Sequence, residues 1–136
     1  MAIPLTGACL CTNICFEVSG EPLWVGHCHC TSCRRNTGSA MATFLGFRPH
    51  QLAYTNGERA FYASSKGVRR GFCAKCGTPM SYESDRFPDE VHIYLSTLDD
   101  PERYLPEFHV FFSERISWFD VVDELPRHRH TSFDPA

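Results

Sequence analysis

Apolar and polar residues alternate along the chain in short runs, and turn-forming residues separate the runs. Apolar Ile14, Phe16 and Val18 alternate with more polar neighbours, and this period of two predicts a strand with one buried face. Asn56-Gly57 and similar pairs mark the turns between runs. The same pattern predicts five further strands: Leu23 to Gly26, Ala42 to Phe47, Ala60 to Ala63, Val91 to Thr97 and Phe108 to Phe112.

Helical patterns are few and short. One helix is predicted after Cys30, ending near Gly38, and a single turn is predicted from Asp120 to Glu124. Because short strands predominate, the pattern predicts a mostly β fold. We expect a single domain over residues 1–126, followed by a polar, frayed C-terminal tail over residues 127–136.

Composition and charge narrow the class of protein. The chain has 136 residues and a formal net charge of -3, which gives no reason to expect binding to nucleic acid or to a membrane surface. The N-terminal sequence lacks the pattern of a signal peptide, and no apolar run approaches the roughly 20 residues of a membrane span. We therefore expect a cytoplasmic protein, in which clustered cysteines bind metal or do chemistry more often than they form disulfides.

Seven of the eight cysteines lie in three close-spaced groups. A Cys-x-x-Cys turn brings two sulfurs to one ion, and a structural zinc needs four such ligands in a tetrahedron. Seven cysteines divide into a closed set of four and an open set of three, whose free position would admit water or a substrate. The groups are Cys9 and Cys11; Cys28, Cys30 and Cys33; and Cys73 and Cys76.

The spacing leaves two divisions open. In the first, Cys73 and Cys76 combine with the Cys28 to Cys33 group, as in a zinc ribbon. In the second, Cys73 and Cys76 combine with Cys9 and Cys11. A redox dithiol at Cys73 and Cys76 is disfavoured because no helix opens there.

The remaining cysteine and the histidines are interpreted as structural. Cys15 is assigned an ordinary small side chain on a strand. His27 and His29 flank the ligands, and surface or supporting roles are favoured for both. His109 is predicted to be a hydrogen-bonded structural residue in a strand, and His128 and His130 are expected to face solvent.

Once these groups are placed, the sequence resembles the family of glutathione-dependent formaldehyde-activating enzymes, which includes centromere protein V. The resemblance is carried by four ordered motifs over about 120 residues. They are Gly7-Ala-Cys9-Leu-Cys11 with Ile14-Cys-Phe16; His27-Cys28-His29-Cys30-Thr-Ser-Cys33-Arg34-Arg35; Gly71-Phe-Cys73-Ala-Lys-Cys76-Gly77-Thr78-Pro79; and Thr97 to Pro101 with Pro106 to His109, Trp118 and Leu125-Pro126.

The resemblance implies a fold and a division of ligands. The fold is a zinc-bound domain of folded-over antiparallel sheets, similar to the zinc-containing methionine sulfoxide reductases. The structural zinc site is Cys9, Cys11, Cys73 and Cys76, and the open, catalytic zinc site is Cys28, Cys30 and Cys33. One departure is Thr12, which stands where the family has glycine and would disfavour the backbone conformation that glycine suggests.

The family activity joins formaldehyde to the thiol of glutathione, or reverses that step. The resemblance therefore implies a carbon–sulfur lyase acting on a small thiol adduct such as S-hydroxymethylglutathione. Arg34 and Arg35 follow the third open-site ligand and are candidates to bind a substrate carboxylate. The alternative hypothesis is a non-catalytic zinc-stapled β module that carries glutathione or binds a protein partner. The sequence carries no signal for a particular oligomeric state.

Overall fold

A computed structural model describes residues 4–134 of the chain. Residues 1–3 of the expected domain and residues 135–136 of the expected tail lie outside the described part. Strands make up 38% of the fold and helices 12%, which confirms the prediction of a mostly β protein. Within the described residues, no helix is both long and apolar enough to cross a bilayer.

In residues 4–134, short strands follow one another along the chain, with one α-helix and two 3-10 turns between them and a third 3-10 turn after the last strand. The 3-10 turns are Pro49–Gln51, Leu95–Thr97 and Phe112–Glu114, and the helix α1 is Thr31–Thr37. The strands are β1 (Leu5–Ala8), β2 (Cys15–Val18), β3 (Trp24–Cys28), β4 (Ala42–Phe47), β5 (Leu52–Asn56), β6 (Ala60–Ser65), β7 (Val68–Phe72), β8 (Pro79–Ser84), β9 (Val91–Tyr94) and β10 (Phe108–Val110).

The chain divides into two compact units. The first contains the residues up to Leu23 and Leu45–Arg103, and the second contains Trp24–Phe44 and the residues from Tyr104 onward. The limits of a single domain over 1–126 stay a prediction.

The first unit contains two antiparallel arrangements. Strands β1, β2 and β5 pair in that order, with Leu5 opposite Val18 at one end of the β1–β2 ladder. Strands β6, β7, β8 and β9 also pair antiparallel in chain order. The predicted alternation in β2 is confirmed, because Ile14, Phe16 and Val18 are all buried. Gly7 lies opposite Phe16, and a Cβ there would come within 2.3 Å of the Phe16 ring, so only glycine fits.

The second unit contains α1 and a parallel pair of strands. Strand β10 runs parallel to β3, with His109 opposite His27, which differs from the antiparallel sheets expected. Parallel pairing needs a long crossover, and the long stretch of chain between β3 and β10 provides it. Gly26 packs against the Phe108 ring, where a Cβ would again lie within 2.3 Å.

Several predicted elements are corrected by the structure. The strand predicted to reach Thr97 ends at Tyr94, where a 3-10 turn begins, and β10 ends at Val110 instead of Phe112. No helical turn forms from Asp120 to Glu124. Four strands were not predicted: β1, β5, β7 and β8.

The C-terminal tail is held to the second unit by backbone hydrogen bonds, so the expectation that it is frayed is wrong for its described part. His128 N–H donates to His109 O at 2.8 Å, and Phe112 N–H donates to His128 O at 2.9 Å. Arg127 forms a β-bridge with His109. Local composition alone predicted fraying, and these pairings are contacts with a distant strand.

Candidate metal centres

Four cysteines converge between two hairpin loops of the first unit. The β1–β2 loop carries Cys9 and Cys11, and the β7–β8 loop carries Cys73 and Cys76. The four Sγ atoms lie within 4.8 Å of one another. Cys9 Sγ lies 3.6 Å from Cys11 Sγ, which lies 3.8 Å from Cys73 Sγ. Four sulfurs around zinc at about 2.3 Å would be separated by about 3.8 Å, so this donor set fits a tetrahedral zinc.

Backbone and hydroxyl groups of these loops are directed at the sulfurs. Ile14 N–H donates to Cys9 Sγ at 3.2 Å, and the Thr78 hydroxyl lies 3.1 Å from Cys76 Sγ. Gly77 has φ +81°, and its N–H donates to Cys73 O at 2.7 Å, which closes the turn under Cys76. The donors stabilise negative charge on sulfur, as thiolate ligands require.

Thr12 adopts the backbone conformation that its sequence position suggested for glycine. Its φ is +62°, in the left-handed region, and its N–H donates to Cys9 O at 3.0 Å. A β-branched residue is strained there, and such strain persists only where the surrounding structure imposes it. The turn that carries Cys9 and Cys11 is therefore formed at a local cost.

The hydrogen bonds of this group favour ionised sulfur at two of its cysteines. The hydrogen bond with the Thr78 hydroxyl lowers the pKa of Cys76 to about 5. Burial opposes ionisation of Cys9, and the Ile14 N–H and the Cys11 and Cys73 thiols nevertheless lower the pKa of Cys9. The hydrogen bond with the Asn13 backbone lowers the pKa of Cys11, but burial and the other three sulfurs of the group together outweigh it and raise that pKa to about 11. A cation among the four sulfurs would remove this competition.

The other three clustered cysteines converge in the second unit. Cys28 ends β3, Cys30 caps the N-terminus of α1, and Cys33 lies in the first turn of that helix. Cys28 Sγ lies 3.6 Å from Cys33 Sγ, and Cys33 N–H donates to Cys30 Sγ at 3.2 Å. Cys28 and Cys33 are buried, whereas Cys30 is part-exposed. The arrangement leaves access to the group on the side of Cys30.

Electrostatics of the three-cysteine group favour a bound cation. Hydrogen bonds with the Cys30 and Cys33 thiols, followed by burial, raise the pKa of Cys28 well above its usual range. Three thiolates cannot be held so close together without a compensating charge. The sulfur spacing and this repulsion fit zinc with three protein ligands.

Arg34 and Arg35 differ in their surroundings. Arg34 Nε donates to His29 O at 3.3 Å, and Arg34 Nη2 donates to Thr31 Oγ1 and to Glu114 O, both at 3.1 Å. Arg34 therefore ties α1 to neighbouring backbone. Arg35 is exposed on the same helix. Of the two candidate carboxylate binders, Arg35 is the more exposed residue.

Sequence reasoning missed Asp123 and the contacts between histidines. His109 Nε2 lies 3.0 Å from Asp123 Oδ2, and His109 Nδ1 lies 2.8 Å from His29 Nε2. His27 Nδ1 lies 2.8 Å from Thr43 Oγ1. The structural role predicted for His109 agrees with these bonds. Asp123 stands in an irregular segment for which the sequence predicted a helical turn and no chemical role. The Cys15 thiol donates to Thr12 O at 3.2 Å, and Cys15 belongs to neither cysteine group.

The chain is similar to one protein family, to one named bacterial protein and to one protein of known structure. The sequence model of the family described as "Glutathione-dependent formaldehyde-activating enzyme" matches residues 4–114. A Halomonas elongata protein named "Putative glutathione-dependent formaldehyde-activating enzyme" is 26% identical over 126 residues, covering 86% of this chain and 80% of that protein. A Rhodobacter sphaeroides protein of known crystal structure is 25% identical, with a TM-score of 0.59, over 74% of this chain and 91% of that one.

Proposed function

Because the chain belongs to the glutathione-dependent formaldehyde-activating enzyme family, we propose that it is a zinc-dependent carbon–sulfur lyase acting on a small thiol adduct such as S-hydroxymethylglutathione. The observation that carries the proposal is the three-cysteine group, which supplies one ligand fewer than a closed zinc site and is part-exposed at Cys30. Family membership suggests the substrate class, and this group supplies the chemistry.

Cys28, Cys30 and Cys33 would hold the ion, and a substrate thiol would take the position they leave open. A bound zinc ion lowers the pKa of a ligating thiol and keeps the sulfur ionised at neutral pH. The three cysteine thiolates bring excess negative charge, which favours thiol transfer over activation of water. Cys9, Cys11, Cys73 and Cys76 would hold a second, structural zinc ion.

The proposed reaction adds the thiol sulfur to the carbonyl carbon of formaldehyde. A C–S bond forms, the C=O double bond becomes a single bond, and the proton of the thiol ends on the oxygen as a hydroxyl group. The reverse step breaks the C–S bond and returns the proton to sulfur. Arg35 would hold a carboxylate of the thiol substrate by a charge-assisted hydrogen bond.

Thiol chemistry of this kind suits a reducing compartment. The eight cysteines all lie in the described residues, and no disulfide joins any two of them. A cytoplasmic location would keep the two cysteine groups reduced and able to bind metal. We therefore propose a cytoplasmic location.

NMR exchange spectroscopy tests the proposal. It measures the rate at which ¹³C-formaldehyde exchanges between its free form and its glutathione adduct. The wild-type protein, carrying two zinc ions per chain, should accelerate exchange above the uncatalysed rate, and Cys30→Ser should abolish the acceleration. Cys15→Ser is the matched control and should behave as wild type. If wild-type protein with two zinc ions leaves the exchange rate unchanged, the lyase assignment is wrong and a thiol-carrying or protein-binding module is the better account.

A further inference from the structure

A line of hydrogen bonds runs through the second unit from Asp123 to His29. Asp123 Oδ2 lies 3.0 Å from His109 Nε2, and His109 Nδ1 lies 2.8 Å from His29 Nε2. His29 and His109 are 1% and 0% exposed. Buried polar groups are costly unless paired, so a line of this length in the interior requires an explanation.

His29 is held at three points by its surroundings. The His29 ring contacts His109. The backbone N–H of His29 donates to Val110 O at 3.1 Å, and the backbone C=O of His29 accepts from Arg34 Nε at 3.3 Å. His29 stands between Cys28 and Cys30, so each of these bonds restrains the segment that carries two of the three sulfur ligands.

The histidines and cysteines of this segment alternate in sequence. The rings of His27 and His29 pack against that of His109, with centroid distances of 4.8 and 5.0 Å. Side chains of neighbouring residues in extended backbone point to opposite sides. Holding the histidines against His109 therefore presents the two cysteines on the other side, where the sulfur ligands converge.

The ionisation state of Asp123 determines which ring nitrogens of His109 and His29 carry a proton. Burial opposes ionisation of Asp123, and hydrogen bonds from His109, Leu125 N–H and Arg127 nevertheless hold its pKa at about 2. The ionised carboxylate can only accept, so His109 Nε2 carries the proton. In neutral His109, Nδ1 is then the acceptor and His29 Nε2 is the donor. This leaves His29 Nδ1 as a bare acceptor, and it is buried without a hydrogen-bond partner.

A metal ion at His27, His109 and Asp123 is the competing explanation, since their ligand atoms lie within 4.8 Å of one another. Arg127 argues against it. Arg127 Nη1 donates to Asp123 Oδ1 at 2.8 Å, which places a fixed positive charge on the carboxylate that such an ion would need. The hydrogen-bonded line is the arrangement that these charges favour.

We propose that Asp123, His109 and His29 are positioning residues that hold the Cys28–Cys30 segment in its metal-binding conformation. The inference rests on the metal binding proposed for the three cysteines and is independent of the thiol substrate. Partners beyond the ligands of a metal site typically change its affinity by about 10- to 100-fold, and an effect of that size is expected here.

Asp123→Asn tests the line by reversing one hydrogen bond at constant size. In the variant, the amide oxygen faces Arg127 and Leu125 N–H. The amide NH₂ then faces the N–H at His109 Nε2, so two donors meet. In the zinc-loaded Asp123→Asn variant, a chelator should remove the more weakly bound zinc ion more easily. The affinity of the protein for that ion should be about 10- to 100-fold lower than in wild type. Asp134→Asn is the matched control, because Asp134 accepts from Thr131 N–H and lies outside the line.

Two outcomes of the chelator competition would overturn the proposal. One is an Asp123→Asn affinity equal to that of Asp134→Asn and wild type, with all three folded by circular dichroism. The other is a third zinc ion in the wild type that Asp123→Asn alone loses, since this would make the histidine cluster a metal site.

The histidine tautomers of the wild-type protein provide a measurement that needs no variant. Long-range ¹H–¹⁵N spectra of the zinc-loaded chain should show His109 and His29 both protonated at Nε2. A neutral His109 with its proton on Nδ1 would contradict the proposed direction of the hydrogen bonds. Absence of formaldehyde exchange would refute the proposed function and leave both readouts of this inference intact.

Discussion

Cys11 Sγ lies 3.8 Å from Cys73 Sγ, although 62 residues separate the two cysteines in the sequence. This contact joins the β1–β2 loop to the β7–β8 loop within the first unit. A metal ion shared by these loops would link the two antiparallel arrangements of that unit. Loss of such an ion should therefore affect folding, whereas loss of an ion from the three-cysteine group should affect function.

Replacing one cysteine of each group should separate the two roles. Cys76→Ser should lower the metal content by about one equivalent and cause unfolding or aggregation, because a structural zinc contributes directly to folding. Cys30→Ser should also lose about one equivalent while keeping the fold. Metal analysis and circular dichroism check both results. The division into two sites would be wrong if the two variants melted alike and lost the same ion.

Thr12→Gly should stabilise the protein. Thr12 has φ +62°, and a glycine there removes a strain of about 1 kcal/mol for a non-glycine residue in the left-handed region. The expected rise in Tm is about 3 °C for a chain of this size. Thr12→Ala is the control, because it keeps the Cβ and hence the strain. Equal melting temperatures for the two variants would show that the strain is absent.

Thr78→Val should weaken metal binding at the four-cysteine group. The substitution keeps the shape of Thr78 and removes the hydroxyl that lies 3.1 Å from Cys76 Sγ and accepts Leu10 N–H at 3.0 Å. The pKa of Cys76 should rise from about 5 toward its ordinary value, so protons compete more strongly with the metal as the pH falls.

Chelator competition between pH 6 and pH 8 measures the effect of Thr78→Val. We expect an affinity about 10-fold lower than wild type, with the larger deficit at the lower pH. Thr97→Val is the matched control, since the Thr97 hydroxyl donates to Tyr94 O and touches no sulfur. A deficit that did not change with pH would argue against the hydroxyl as the cause of the low pKa.

The two arginines of α1 should respond differently to neutralisation. Arg34→Gln removes hydrogen bonds to His29 O, Thr31 Oγ1 and Glu114 O, and it should lower the free energy of unfolding by about 1 to 3 kcal/mol. Arg35→Gln should leave stability unchanged and raise KM for an anionic thiol about 10-fold, with kcat little altered. Arg35→Lys keeps the charge and should recover part of the loss. An unchanged KM in Arg35→Gln would remove Arg35 from the substrate site.

Much of the fold followed from local pattern. The alternation at Ile14, Phe16 and Val18 placed one strand correctly, and Gly38 placed the end of α1, where it has φ +66°. Strands β1 and β7 escaped prediction because glycine and arginine interrupt their pattern. Arg70 is buried in β7, against the usual preference of a charged residue, and its guanidinium packs over the Tyr82 ring.

The sequence by itself determined which cysteines are close together, because sulfurs two to five residues apart in Cys28 to Cys33 cannot separate far. It left open which groups combine, since that depends on how distant hairpins pack. The tertiary structure brought Cys9 and Cys11 to Cys73 and Cys76, directed Arg34 to backbone carbonyls, and linked His29 through His109 to Asp123. Spacing constrains neighbours along the chain, whereas contacts across 62 or 80 residues are decided by the packing of the whole fold.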